Sequence, residues 1–406
     1  NRWFFALSAA GLFAVLEAVF PFVFPAPFGG VAYRFPSMIQ AADLGGVPFL
    51  SFLFILPSAL LARSVGPHGK AHLGELMPWA MVSFAIFLFL GGYGLWKWQV
   101  MEGESPGVSR NVGVVQPNLP TGLDSRKDVA SKAAILDLTL GVESDISHPV
   151  DFLVWPEGAF PFIFSPRERD DIPRGRKSYS HRYTRRIQDH VKTRGSTMIM
   201  GATIKGEEGR AHNASVALYP DGRSRVCTKT WLLPWIEQGN FAEFLVRSTL
   251  FPLMAPLRTG TANICVFEVS DLRLYPSVFQ ELSYGLDLRD RIGGQDIDLA
   301  LNISDDRWFG ASSASELQLM NQVLRAVEFR LPVLRVAYGG VSASISEKGQ
   351  IEKRTGLLVR AAEIWPLVSK RRKTVYVQWG HFFLLVFAVL GIMPMFFRIL
   401  AQRLRR

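Results

Sequence analysis

Cysteine is nearly missing from this chain. Among 406 residues there are two, Cys227 and Cys265, too few for a disulfide framework or for a cysteine-rich zinc site. One bridge between them stays open at this point. Charge is also thin. Only 20% of residues are charged, against 49% hydrophobic and 12% aromatic, which excludes a disordered chain. Acids are the scarcer sign, 35 against 45 Lys and Arg, for a net charge of +10. The basic residues are scattered or lie beside apolar runs without a nucleic-acid-binding motif, so direct contact with nucleic acid is not expected. The chain has neither a phosphate loop nor a dinucleotide fingerprint, so no cofactor is expected. A mean hydropathy of +0.16 in a chain long enough for two or three units implies that one unit is not solvated by water.

The apolar residues gather in four runs, Trp3–Phe28, Gly46–Leu61, Met77–Trp96 and Trp379–Phe397. Each approaches the ~20 residues that cross a bilayer core as a helix. A signal peptide is the competing reading of the first run, but the run is too long and has no small-residue cleavage site. Basic residues in short loops set the orientation. Arg2, Arg63, Lys70, Arg398, Arg403, Arg405 and Arg406 put both termini and the 63–76 loop inside, and the long middle segment outside. The cluster Lys370-Arg371-Arg372-Lys373 runs against this, and reads as a solvated collar touching lipid headgroups. Three parts are therefore expected: a membrane region over 1–104, a folded domain over 105–376, and a last membrane helix with a basic tail over 377–406.

In the middle segment, short β-branched runs alternate with amphipathic stretches, the pattern of an α/β layered domain. Strands are expected at 112–116, 152–155, 197–204, 214–219, 265–269, 277–282, 299–303 and 333–336. Helices are expected at 128–140, 183–192 and 315–330, and a charge-rich loop at 165–180. Polar groups fall at strand ends, where open α/β sheets present their chemistry. Glu157 follows the apolar Val154-Trp155-Pro156. Lys229 and Glu237 stand eight residues apart in an apolar setting. Ser304-Asp305-Asp306-Arg307-Trp308-Phe309-Gly310 closes a later strand.

Taken with Val112-Gly113-Val114-Val115-Gln116-Pro117-Asn118 and Arg325-Ala326-Val327-Glu328-Phe329-Arg330-Leu331-Pro332, these segments resemble the nitrilase (carbon-nitrogen hydrolase) superfamily, and within it the bacterial apolipoprotein N-acyltransferases. The resemblance covers nearly all of residues 110–352. It implies an α-β-β-α sandwich carried between membrane helices, about three before it and one after, on the periplasmic side of the inner membrane. Three runs before the domain are fewer than the full acyltransferase has. It further implies a Glu general base, a Lys that stabilises the oxyanion, a Cys that becomes acylated and a supporting Glu. Glu157, Lys229 and Glu237 match the base, the lysine and the supporting acid.

The nucleophile is where the match breaks. Counting back from Asp305 to the family's Ile-Cys-Tyr-Glu-like segment gives Pro276-Ser277-Val278-Phe279-Gln280-Glu281, with Phe279 at the nucleophile position. A phenyl ring cannot attack a carbonyl. Cys265 lies some forty residues before Asp305 and reads as part of the preceding strand, and Cys227 reads as a packed thiol. Ser277 would share the face of Phe279 but sit deeper, and Ser283 has no better support. Two functions follow. One is a non-catalytic relative that uses its pocket for binding or assembly at the membrane. The other is an active N-acyltransferase or amidase, moving an acyl group from phospholipid to an amine through a relocated nucleophile. Loss of the group that forms the covalent bond favours the first.

Membrane phospholipid is the expected partner, with lipoprotein as a further one. The short membrane segment also resembles the nitrilase-domain TraB branch of conjugal transfer proteins, which would add components of the conjugation apparatus and a supporting role in plasmid transfer. His68 and His72 have a helical i, i+4 spacing without a carboxylate and read as loop residues. Gly340-Val341-Ser342-Ala343-Ser344 lacks the last glycine of a nucleophile elbow, and Asn213-Ala214-Ser215 is a chance glycosylation sequon.

Overall fold

The computed structural model describes residues 2–20, 22–64, 73–104, 107–119, 128–165, 174–206, 210–233, 259–260, 264–370 and 372–403. His68, His72 and Glu237 lie outside them.

The chain opens with α1 (Arg2–Val19), a short turn α2 (Pro36–Ile39), α3 (Ala42–Ser64) and α4 (Leu73–Glu102). The first apolar run is not one helix through residue 28. It stops at Val19, two residues before Pro21 in the sequence, and a proline disfavours helix at the residue before it and removes a helix donor. Among the described residues, three helices are long and apolar enough to cross a membrane: 42–62 within α3, 76–102 within α4, and 375–393 within α9 (Val375–Arg403). The first and last apolar helices of the described chain touch backbone to backbone. A Cβ on Gly11 would meet the Phe387 carbonyl oxygen at 2.6 Å, and one on Gly391 would meet Leu12. Small residues allow this close approach between membrane helices.

Among the described residues, two sheets form the domain. The first has the order β13-β1-β2-β4-β5-β6, with β3 beside β4, where β1 is Val108–Gln116, β2 Phe152–Val154, β3 Phe160–Phe164, β4 Thr197–Lys205, β5 Ala211–Leu218, β6 Ser224–Thr228 and β13 Ala361–Ser369. The second runs β12-β11-β10-β9-β8-β7, with β7 Phe267–Val269, β8 Leu272–Val278, β9 Leu299–Ser304, β10 Val333–Ala337, β11 Ala343–Ile345 and β12 Ile351–Arg354. Side chains alternate across each strand, so one residue set serves two cores. Val112, Val114 and Val154 face Leu274, Leu301 and Val336 between the sheets. Val115 and Leu153 turn the other way, toward α5 (Val129–Glu143) and α6 (Arg174–Arg194). The outer face of the second sheet meets α8 (Ala314–Phe329), while α7 (Gly285–Ile292) lies at its side. The result is the expected α-β-β-α sandwich.

Helix α8 lies across the ends of the membrane segment. Asn321 donates to the Pro25 carbonyl at 2.8 Å, Met320 and Leu324 pack on Gly30, and the Glu328 carboxylate accepts from the Val47 amide at 2.5 Å. That last bond depends on Gly46, whose φ of +77° breaks α3 and turns a fresh helix start toward the acid.

Some expectations change. The described part of the 165–180 segment, from Arg174 on, is already helix α6, which begins nine residues before the expected Tyr183. The strand expected over 277–282 ends at Val278, and a 3-10 turn takes Phe279–Ser283. The basic collar is not simply solvated. Lys370 pairs with Glu104, and Arg372 pairs with Glu104 and Glu347. The cysteines are not packed thiols: Cys227 and Cys265 form a disulfide with Cα atoms 5.6 Å apart. It joins β6, an edge strand of the first sheet, to the residues just before β7, an edge strand of the second.

Candidate active site

Three strand ends converge. Glu157 follows β2, Phe279 follows β8 and Asp305 follows β9. Lys229 leaves β6, at the edge of the first sheet that also carries β2, while β8 and β9 belong to the second.

Glu157 is fixed through both oxygens. Oε1 accepts from Asn213 Nδ2 at 2.5 Å, and Oε2 accepts from the Asp305 amide at 2.9 Å. Behind it, Trp155 Nε1 donates to buried Glu143 at 2.8 Å, and Glu143 is also paired with His190 and Arg194. This locks the Trp-Pro-Glu turn from its far side. Asp305 is held in turn by two bonds from Arg307, at 2.9 and 2.6 Å, and that guanidinium stacks 3.7 Å from the centre of the Tyr338 ring. Burial pushes the Tyr338 hydroxyl up to about 12.

Lys229 is 1% exposed. Its amide donates to the Asn213 carbonyl at 2.8 Å, so Asn213 connects the lysine backbone to the Glu157 carboxylate. The next residues are clamped by Glu281, whose Oε1 accepts from the Thr230 and Trp231 amides at 2.7 and 3.0 Å while Oε2 accepts from the Val278 amide at 2.7 Å. One carboxylate thus ties the lysine segment to the start of the 3-10 turn.

Phe279 stands at that turn with φ of +59°. A bulky side chain seldom takes this left-handed conformation, which costs about 1–3 kcal/mol unless the surroundings impose it. Here Asn302 Nδ2 donates to the Phe279 carbonyl at 2.8 Å, while its Oδ1 accepts from Gln322 at 2.6 Å and Arg335 at 2.7 Å. The ring stacks on Phe309 at 5.8 Å and meets Phe24, from the stretch after α1, edge-on at 6.1 Å. Lys229 Nζ lies 5.3 Å from its centre, a cation–π contact in a dry setting. Tyr284 anchors the Phe24 stretch by donating to the Phe22 and Val23 carbonyls, each at 3.0 Å, and burial pushes its hydroxyl up to about 12.

The structure therefore brings Glu157, Lys229 and Phe279 together. It gives the other candidates different work. Ser277 is buried, donates to the Leu301 carbonyl and accepts from Asn302; Ser283 donates to Gln318. Ser342 bonds Gln116 across the domain. Asn213, set aside as a chance sequon, and Glu281, quoted in the motif without a role, were missed as site residues. The signal for Glu281 was its place two residues after the nucleophile position; Asn213 gave none, because its partner is 56 residues away.

A profile of the carbon-nitrogen hydrolase family matches residues 111–358. This chain belongs to that family. The apolipoprotein N-acyltransferase of Geobacter metallireducens is 28% identical over 392 residues, 91% of this chain and 68% of its own length. That of Azotobacter vinelandii is 28% identical over 406 residues, covering 95% and 72%. Among solved structures, a carbon-nitrogen hydrolase superfamily protein of Xanthomonas campestris aligns with a TM-score of 0.45 at 19% identity, over 65% of this chain and 91% of that one. With its apolar helices, the chain is a membrane protein of acyltransferase-like build.

Proposed function

We propose that this protein is an inner-membrane carbon-nitrogen hydrolase relative that binds at its former catalytic centre without forming a covalent acyl intermediate. Phe279 carries the reading. It occupies the turn after β8 in the left-handed conformation, facing Lys229, where the resemblance calls for a thiol. Both cysteines of the chain are spent in the disulfide, so neither supplies a thiolate. Glu157 as base and Lys229 as oxyanion partner remain in place, yet without a side-chain nucleophile they can orient a polar group but not carry it through an acyl-enzyme. Membrane phospholipid, or a lipoprotein, is the proposed ligand class.

A domain on the periplasmic side is part of this proposal. The disulfide supports it, because such bonds persist in oxidising compartments. A supporting part in conjugal plasmid transfer is a further part of the proposal, which mating frequency from a donor lacking the gene would test.

The direct experiment incubates purified protein with a phospholipid donor and looks by intact-protein mass spectrometry for an added acyl group. No adduct is expected. An adduct would establish the competing reading, an active N-acyltransferase or amidase, and locate its nucleophile. In the companion variant, Phe279→Cys, the turn is already shaped for a small nucleophile, and the introduced thiol should react with an acyl donor. An inert thiol in a folded variant would count against a surviving pocket.

A further inference from the structure

A cavity of about 260 Å³ lies at the far end of α8 from the site. Its walls come from three places: the loop after α7, the end of α8 at Phe329–Leu331, and the collar residues Arg372 and Lys373 with Val377 in the first turn of α9. Ser315, which bonds Asp306 at the site, and Phe329 in the cavity wall stand near opposite ends of α8. At 1.5 Å per residue the two are about 21 Å apart.

We propose that this cavity docks the phosphate of a membrane phospholipid headgroup. Its height relative to the membrane is the first reason. Val377 is among the first residues of the last apolar span, and Arg330, in the cavity wall, is bonded to Asp43 at the start of another. The cavity thus opens where the spans enter the domain, at headgroup depth. The second reason is its chemistry. Ile292, Ile297 and Val377 give an apolar wall, and the remaining lining carries three cations, Arg330, Arg372 and Lys373, against one acid, Asp296. Arg372 is held rigid by Glu104 and Glu347 through three of its nitrogens, which leaves two of its five N–H donors for another acceptor. Lys373 is exposed and makes no ion pair with any described residue. A fixed guanidinium beside a mobile ammonium suits a phosphate. The collar that breaks the inside-positive pattern would then be retained as a lipid site.

The full chain in detergent micelles, examined by native mass spectrometry with added dioleoyl phosphatidylglycerol, tests this. Diacylglycerol supplies the same chains without phosphate, and inorganic phosphate supplies the anion without chains. Wild type should retain phosphatidylglycerol but not diacylglycerol. Lys373→Glu should weaken retention about fivefold, the scale of one charge-assisted contact. Gly294→Phe should abolish it, because the Cβ gained there has no neighbour within 4 Å and a ring can fill the cavity without straining the backbone. Phosphatidylglycerol retained equally by both variants, or diacylglycerol retained as well as the phospholipid, would overturn the proposal. So would inorganic phosphate that raises Tm in a Lys373-dependent way while the lipid is not retained, since the site would then serve a soluble anion. If Gly294→Phe fails to fold, Lys373→Glu decides.

Discussion

Two buried ion pairs brace opposite ends of α8, and they differ in how much support each carboxylate has. At the site end, Arg335 and Asp306 are both almost wholly buried; the guanidinium bonds Asp306 at 2.5 Å, Asn302 at 2.7 Å and the Val341 carbonyl at 3.1 Å. Asp306 also accepts from the Ser304 and Ser315 hydroxyls, but Arg335 is its one cation among the described residues. At the membrane end, Arg330 bonds Asp43 twice and Gln40 twice, and Asp43 has a second cation in Lys97 at 3.2 Å and a hydroxyl from Tyr93 at 2.7 Å. The first pair closes within one sheet and its helix. The second joins residues 287 apart in sequence. Precision near the chemistry rests on one irreplaceable partner, while attachment of domain to membrane segment is shared among several.

Arg335→Met should give the largest effect. It strands the Asp306 charge in the core, and ~3–5 kcal/mol of stability should be lost in denaturant unfolding. The chain-entropy model puts ~2–4 kcal/mol on the Cys227–Cys265 bridge, which spans 38 residues. A Cys227→Ser/Cys265→Ser double variant should therefore melt lower, and dithiothreitol should lower Tm in wild type alone. Arg330→Ala should cost less, ~1–3 kcal/mol, because Asp43 keeps Lys97 and Tyr93. If it costs as much as Arg335→Met, the contrast between the two ends is wrong. The smallest effect concerns pH. Burial raises the Glu328 carboxyl, against the opposing pull of Arg325 and the Val47 amide. The folded state therefore holds this proton more tightly than the unfolded one. Its contribution is full below the ordinary value of ~4.3 and is lost as pH rises through the folded value. Glu328→Gln should flatten that limb of a Tm-against-pH curve, and an unchanged slope would refute the assignment.

Most strands, the layered fold and the positions of Glu157, Lys229 and Phe279 were legible in the sequence, because β-branched alternation and strand-end polar motifs are local signals. What escaped depends on distant partners or on backbone shape. The early start of α6 is hidden by a stretch so rich in Arg and Lys that it reads as loop. The end of β8 is set by Phe279, whose backbone is held by Asn302 from another strand. Asn213, Arg330 and the disulfide each act through residues 38 or more positions away. The collar read as solvated because Glu104 and Glu347, which tie it down, are remote in the chain.

The contact between Gly11 and Gly391 bears on biogenesis. More than 350 residues separate the two helices it joins, with the whole sandwich between them. The α1 groove that receives α9 therefore stays open to lipid or to insertion factors throughout translation of the domain. Closure of this seam is a late step of assembly, and truncation before α9 should expose α1 to membrane quality-control proteases even where the sandwich has folded.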